Sequence, residues 1–171
     1  MKDLFGVRNH RIILLFLAAA SCVFAIDQLS KVYIQRYFQS RETLPIIPGF
    51  FNLTFVTNTG VAFGLFGGTG HAWKRYGLLI VNVLAVGFIF YFLKQLIRKG
   101  SRPAVALGLI LGGAIGNSID RARLGNVIDF LDFYVSGFHW PAFNVADAAI
   151  TCGAIYLAFL LVKEDVKSQS R

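Results

Sequence analysis

Five aspartates stand where ionisable groups are hardest to explain. Asp27 closes a long apolar run, and Asp120, Asp129, Asp132 and Asp147 all fall within 112–150, which opens in one apolar segment and closes in the next. The whole chain has nine acids, so this grouping takes up more than half of them. Carboxylates are costly to desolvate, and acids at the edge of hydrocarbon are paired, bind something or react. Two carboxylates close together cannot both ionise cheaply, so such a pair shares a proton. One member then activates water as a base while the other protonates a leaving group. Amide hydrolysis needs no more than that. The stretch 112–150 therefore reads as a two-aspartate active site at a membrane surface.

Each acid also has a plainer reading. Asp27 and Lys31 are four apart with the acid first, which suits a modest interfacial ion pair on one helix face. Asp120 precedes Arg121, and a salt bridge between them is a better reading than catalysis. Asp132, between Leu131 and Phe133, reads as a solvated loop charge. Asp129, between Ile128 and Phe130, is held at an apolar boundary. In Asn144-Val145-Ala146-Asp147 the asparagine suits a helix cap and Asp147 the first turn, so cap and catalyst are equal readings of Asp147. The residues alone leave Asp120 and Asp129 both open as its partner. Ser118 or Ser136 with His139 would suggest a serine protease, but no nucleophile motif accompanies them. His10, His71 and His139 are far apart and no His-Glu-x-x-His occurs, so no metal or other cofactor is expected.

The elements that must position these acids are apolar helices. Hydrophobic residues make up 56% of the 171 and charged residues only 15%, where a soluble domain has about 25% charged. The formal charge is +8, but the basic residues flank apolar segments as topology signals do, and no nucleic-acid partner is expected. Four transmembrane spans are expected, at 12–30, 76–93, 103–120 and 144–162, in a single membrane-embedded domain covering 1–171. The start resembles a signal peptide ending at Ala19-Ala20-Ser21-Cys22, but the chain inserts again afterwards and a first span is the better reading. Cys22 and Cys152 read as small packing residues within apolar segments. Gly108, Gly112 and Gly116 recur every four residues, so the third helix is expected at the centre of the bundle. Asn82 suits a helix–helix hydrogen bond.

The connection 39–75 has its own structure. Pro45 and Pro48 break helix, Phe51-Asn52-Leu53-Thr54-Phe55 alternates as a half-buried strand does, and Asn58-Thr59-Gly60 is turn chemistry. A small sheet lying on the membrane is expected, with its phenylalanines towards lipid or substrate. Trp73, Lys74, Arg75 and Tyr76 then read as an interfacial anchor. Lys94, Arg98, Lys99 and Arg102 fill a short connection without acids, which the positive-inside rule places in the cytoplasm. Both termini are then cytoplasmic, and all five aspartates collect at the outer face. Intramembrane acids also mark ion pathways, so a small proton- or cation-coupled transporter is the alternative.

Five segments in order carry a family resemblance: Asp27-Gln28-Leu29-Ser30-Lys31; Asn58-Thr59-Gly60-Val61-Ala62-Phe63; Gly112-Gly113-Ala114-Ile115-Gly116-Asn117-Ser118-Ile119-Asp120-Arg121; Asn126-Val127-Ile128-Asp129-Phe130; and Phe143-Asn144-Val145-Ala146-Asp147. With them the chain resembles the bacterial lipoprotein signal peptidases, or type II signal peptidases. Val61 departs from that pattern, which more often has alanine there. The resemblance implies a four-span aspartyl endopeptidase of the bacterial cytoplasmic (inner) membrane. It would cut signal peptides from prolipoproteins before a diacylglyceryl-modified cysteine. It also implies Asp129 and Asp147 as the catalytic pair, chosen by resemblance and not by the residues' own physics. Asn58, Asn117, Asp120, Arg121 and Asn144 would shape or support the site, with Asp27 and Lys31 as further motif positions. Membrane lipids and the inhibitor globomycin are the other implied partners, and a monomer is expected.

Overall fold

The computed structural model describes residues 7–60, 72–96 and 101–169. Four helices run through them: α1 (Val7–Tyr37), α2 (Ala72–Leu96), α3 (Ser101–Leu124) and α4 (Val145–Gln169). Four strands accompany them: β1 (Thr43–Ile47), β2 (Phe51–Asn58), β3 (Val127–Val135) and β4 (Phe138–His139). Each expected span coincides with one helix that runs on beyond it, apart from Asn144, which precedes the last. α1, α3 and α4 are each long and apolar enough to cross a membrane. Val61, the 62–70 path, and the side chains of Trp73, Lys74, Arg75, Tyr76 and Asn82 lie outside what is described.

The α1 sequence explains how an ion pair enters a bundle. Its buried positions Ile12, Phe16, Ala20, Val23, Asp27, Lys31 and Ile34 follow a spacing of three and four, the stripe one helix face presents to a partner. Asp27 and Lys31 continue an apolar seam, while Leu14, Leu17, Ile26 and Leu29 point outwards. Lipid is as apolar as leucine, so close backbone approach and polar contacts join the helices. A Cβ on Gly108 would sit 2.5 Å from the Phe16 carbonyl oxygen, and one on Gly112 would strike that of Ala20. Gly113 meets the Ala146 carbonyl of α4 in the same way. α3 thus lies at the centre, as its glycines suggested. Cys22 and Cys152, by contrast, are exposed on the outside of the bundle. The helix positions they occupy face away from the packed seams.

The strands form one antiparallel sheet in the order β1-β2-β3-β4. The expected strand at 51–55 is the first part of β2. Asp129 and Asp132, expected in a loop, stand instead on the nine-residue strand β3. Both faces of Val127-Ile128-Asp129-Phe130-Leu131-Asp132 are largely buried, and the acids sit three apart, so no alternation of apolar and polar residues marks the strand. Phe143 ties β3 to the start of α4: its carbonyl accepts from Phe130 N and Leu131 N, and its N–H donates to Leu131 O.

A bulge sets which residues of β2 and β3 share a face. Phe51, Asn52 and Leu53 pair with Phe133, Asp132 and Leu131, but Val56, Thr57 and Asn58 pair with Asp129, Ile128 and Val127. Thr54 and Phe55 therefore stand opposite Phe130 alone. One extra residue in a strand turns every later side chain to the other face. Asn52 and Asn58, an even number apart, consequently face opposite sides and serve aspartates an odd number apart. Asn52 donates to Asp132 and Asn58 to Asp129.

Candidate active site

Three helices and two strands bring the polar residues together, β2 through Asn58. α1 supplies Asp27, Gln28 and Lys31; α3 supplies Asn117, Asp120 and Arg121; β3 supplies Asp129; the start of α4 supplies Asn144 and Asp147. Gly116 makes room for them, since a Cβ there would lie 2.5 Å from Asp27 Oδ2.

The Lys31 ammonium lies at the centre of one half. It contacts Asp27 Oδ2 at 2.8 Å and Asp120 Oδ2 at 2.7 Å, and donates to Asn117 Oδ1 at 3.0 Å. Asp27 has no exposed surface, so the Asp27–Lys31 pair is part of a buried network and not a modest interfacial contact. Gln28 Nε2 is shared among Asp120 Oδ1 at 3.0 Å, Asp27 Oδ2 at 3.2 Å and the Gly116 carbonyl at 3.3 Å. The partner expected for Asp120 was Arg121, but consecutive helix residues point about 100° apart. Asp120 turns to α1, and Arg121 donates to the carbonyls of Asn117 and Gly60.

The other half is built from carboxamides. Asn144 Nδ2 donates to Asp129 Oδ1 at 2.7 Å, and Asn58 Nδ2 donates to Asp129 Oδ2 at 3.0 Å. Asn117 Nδ2 donates to Asp147 Oδ1 at 2.8 Å. Asn144 Nδ2 also approaches Asn117 Oδ1, at 3.3 Å, so the two carboxylates hang on one connected set of amides. Among the described residues, neither Asp129 nor Asp147 forms an ion pair. Asp129 is 2% exposed. Burial, and after it the charge of Asp147, pushes its carboxyl up to about 7.

The cap at α4 is formed by Asn144. Asn144 Oδ1 accepts from Asp147 N at 2.9 Å, which is the capping bond. Asp27 Oδ1 accepts from Ala146 N at 2.9 Å, so a side chain of α1 satisfies a second free N–H of α4. The Asp147 carboxylate is left to face Asn117. It also borders a cleft of about 360 Å³ lined by Trp140, Phe143, Ala148, Thr151 and Cys152.

Asp132, expected as a solvated charge, is buried on the other face of β3. It accepts from Asn52 Nδ2 at 2.8 Å, and its second oxygen lies 2.8 Å from His139 Nδ1. His139 stacks on Tyr134. With the histidine engaged there, and Ser118 Oγ donating back to the Ala114 carbonyl, the serine-protease grouping is not assembled. Gln28 and the Gly60 backbone are the contributors that sequence reasoning missed. Gln28 was legible only as a neighbour of Asp27, and a backbone carbonyl leaves no mark in a sequence.

A family model described as signal peptidase (SPase) II matches residues 19–163. The lipoprotein signal peptidase of Syntrophus aciditrophicus (strain SB) is 40% identical over 152 residues, covering 89% of this chain and 94% of that protein. The lipoprotein signal peptidase of Cupriavidus taiwanensis is 48% identical over 145 residues, covering 84% and 80%. A solved structure described as a bacterial membrane enzyme, obtained by the in meso method at 2.3 Å resolution, superposes with a TM-score of 0.77 at 31% identity, covering 88% of each chain.

Proposed function

This chain belongs to the signal peptidase II family, and we propose that Asp129 and Asp147 are the pair with which it cuts signal peptides from prolipoproteins before a diacylglyceryl-modified cysteine. The observation that carries this assignment is the environment of the two carboxylates. They are held by a shared set of amides, with no ion pair to either among the described residues. One proton is shared between them. The ionised member takes a proton from water as the oxygen attacks the scissile carbonyl. The protonated member gives its proton to the carbonyl oxygen, and collapse of that intermediate returns a proton to the leaving nitrogen. The products are a peptide carboxylic acid and a free amine, and the pair regains its starting protonation.

Asn58, Asn117 and Asn144 orient the pair in this reading, while Asp27, Lys31, Asp120 and Arg121 join the elements that carry it. The cleft beside Asp147 admits the scissile segment. α2 is taken as a fourth span, within one domain covering 1–171 and acting as a monomer. The basic residues of the α2–α3 connection place both termini in the cytoplasm and the site at the outer face of the cytoplasmic membrane, with the sheet lying on the lipid. Exposed Phe50, Val135, Phe138 and Trp140 suit that placement. Globomycin is expected to compete with substrate. The transporter alternative is not supported: the matched relatives are signal peptidases.

The deciding experiment incubates purified protein with a diacylglyceryl-modified prolipoprotein and follows release of the signal peptide. Wild type should cleave, and Asp129→Asn and Asp147→Asn should each bind without cleaving. Normal cleavage by either variant defeats the assignment.

A further inference from the structure

The Lys31 ammonium lies against two carboxylates, which more than offset its charge. It also donates a hydrogen bond to the neutral oxygen Oδ1 of Asn117. The other end of that carboxamide, Nδ2, donates to Asp147 Oδ1 at 2.8 Å. The two ends of a carboxamide are alike in shape and opposite in hydrogen-bonding sense. Turned over, Asn117 would set its NH2 against an ammonium and its oxygen against a carboxylate. Lys31 therefore decides which end of Asn117 meets Asp147, and the weaker contact from Asn144 at 3.3 Å acts in the same sense.

We propose that Lys31 is a positioning residue for the hydrolysis: acting through Asn117, it orients the Asp147 carboxylate while leaving it without a cationic contact. The proposal rests on the reading of Asp147 as one of the catalytic pair. An ammonium bonded directly to that carboxylate would favour its anion and oppose proton exchange. An intervening amide fixes direction without setting the cation against the carboxylate. A longer chain, through the Gly60 backbone, leads to the other aspartate. Arg121 Nη2 donates to the Gly60 carbonyl at 3.1 Å, Gly60 N donates to Asn58 Oδ1 at 2.9 Å, and Asn58 Nδ2 donates to Asp129 Oδ2 at 3.0 Å. Each carboxylate thus has a cation behind an asparagine.

Removing Lys31 alone would leave two buried carboxylates unpaired, so the test removes the charges together. The triple variant Asp27→Asn/Lys31→Met/Asp120→Asn keeps an acceptor for Ala146 N and buries no net charge. Melting temperature and KM should stay near those of wild type, while kcat falls about 10- to 100-fold. The alkaline limb of its pH–rate profile should also move, which a mere loss of folded protein would not cause. A triple variant that folds and turns over normally overturns the proposal. Asn117→Asp tests the same link with Lys31 in place, since it keeps the acceptor for the ammonium and loses the donor to Asp147. Its kcat should drop about 100-fold or more with substrate still bound; unchanged turnover overturns the proposal whatever the triple variant does. Asp147→Asn is measured alongside. If it cleaves normally, the catalytic pair itself is wrong. If it is inactive while the triple variant and Asn117→Asp are normal, only the role given to Lys31 falls.

Discussion

Asp27 and Asp120 touch an ammonium; Asp129 and Asp147 touch carboxamides. These four carboxylates meet within one polar region, yet their neighbours differ in kind. An ammonium stabilises the anion itself, whereas an amide N–H stabilises a direction with a weaker preference for charge. The first pair is suited to holding α1, α3 and α4 together. The second is suited to trading a proton. The division is one that counting acids does not reveal: among the described residues, neither Asp129 nor Asp147 forms an ion pair.

The strongest way to break this contrast is to neutralise one member of each pair. Asp129→Asn and Asp147→Asn should each lower kcat by about 10²–10⁴-fold in a protein that still folds and binds globomycin. Asp120→Asn should instead cost stability, on the order of 3 kcal/mol, because a buried ammonium loses one of its two counter-charges. Its remaining activity should track the folded fraction, checked by denaturation in detergent beside a cleavage assay. If Asp120→Asn were stable and inactive while Asp129→Asn cleaved, the two pairs would have to exchange roles.

Acidity sharpens the contrast further. The Asp129 carboxyl titrates at about 7, against about 3.9 in an unfolded chain. A carboxyl raised on folding contributes stability that is complete below about pH 3.9 and is lost as the pH rises through about 7. Wild type should therefore lose stability relative to Asp129→Asn as the pH rises from about 4 to about 7 and level off above that, as paired melting curves would show. Cleavage should fall on the alkaline side with a midpoint near about 7, where the shared proton leaves the pair. Activity still climbing at pH 9 would contradict this.

The smallest effect belongs to the fifth aspartate. His139, whose side chain is half-exposed, contacts Asp132, and His139→Gln should change stability by less than about 1 kcal/mol with cleavage unaltered. A large loss of turnover would draw Asp132 into the chemistry and end its separation from the other face of β3.

What could be read from the sequence follows from the range of the interactions involved. Helices announce themselves through long apolar runs, and Asp27 with Lys31 shows a spacing that only a helix face explains. Asn144 shows its cap in four consecutive residues. The Asp120–Lys31 contact, joining residues 89 apart, leaves no local trace, so the adjacent Arg121 attracted the pairing instead. β3 was hidden because both its faces are buried and its acids break the alternation. The β2 bulge was hidden too, since nothing in Leu53-Thr54-Phe55-Val56 says that two residues face one. Physics of the sequence gathered the aspartates on one side of the membrane; the preference for Asp129 over Asp120 came from family resemblance.

The bond from Ala146 N to Asp27 Oδ1 spans 119 residues, and that separation has a meaning in time. A ribosome makes α1 first and α4 last. Until α4 has emerged and inserted, Asp27 has no helix start to hold, Asn144 is not present to align Asp129, and Asp147 has not been synthesised. A chain that has not yet reached α4 therefore lacks the hydrogen bonds that join these aspartates into one network. The bond between Asp27 and Ala146 therefore closes late, after both helices have been made.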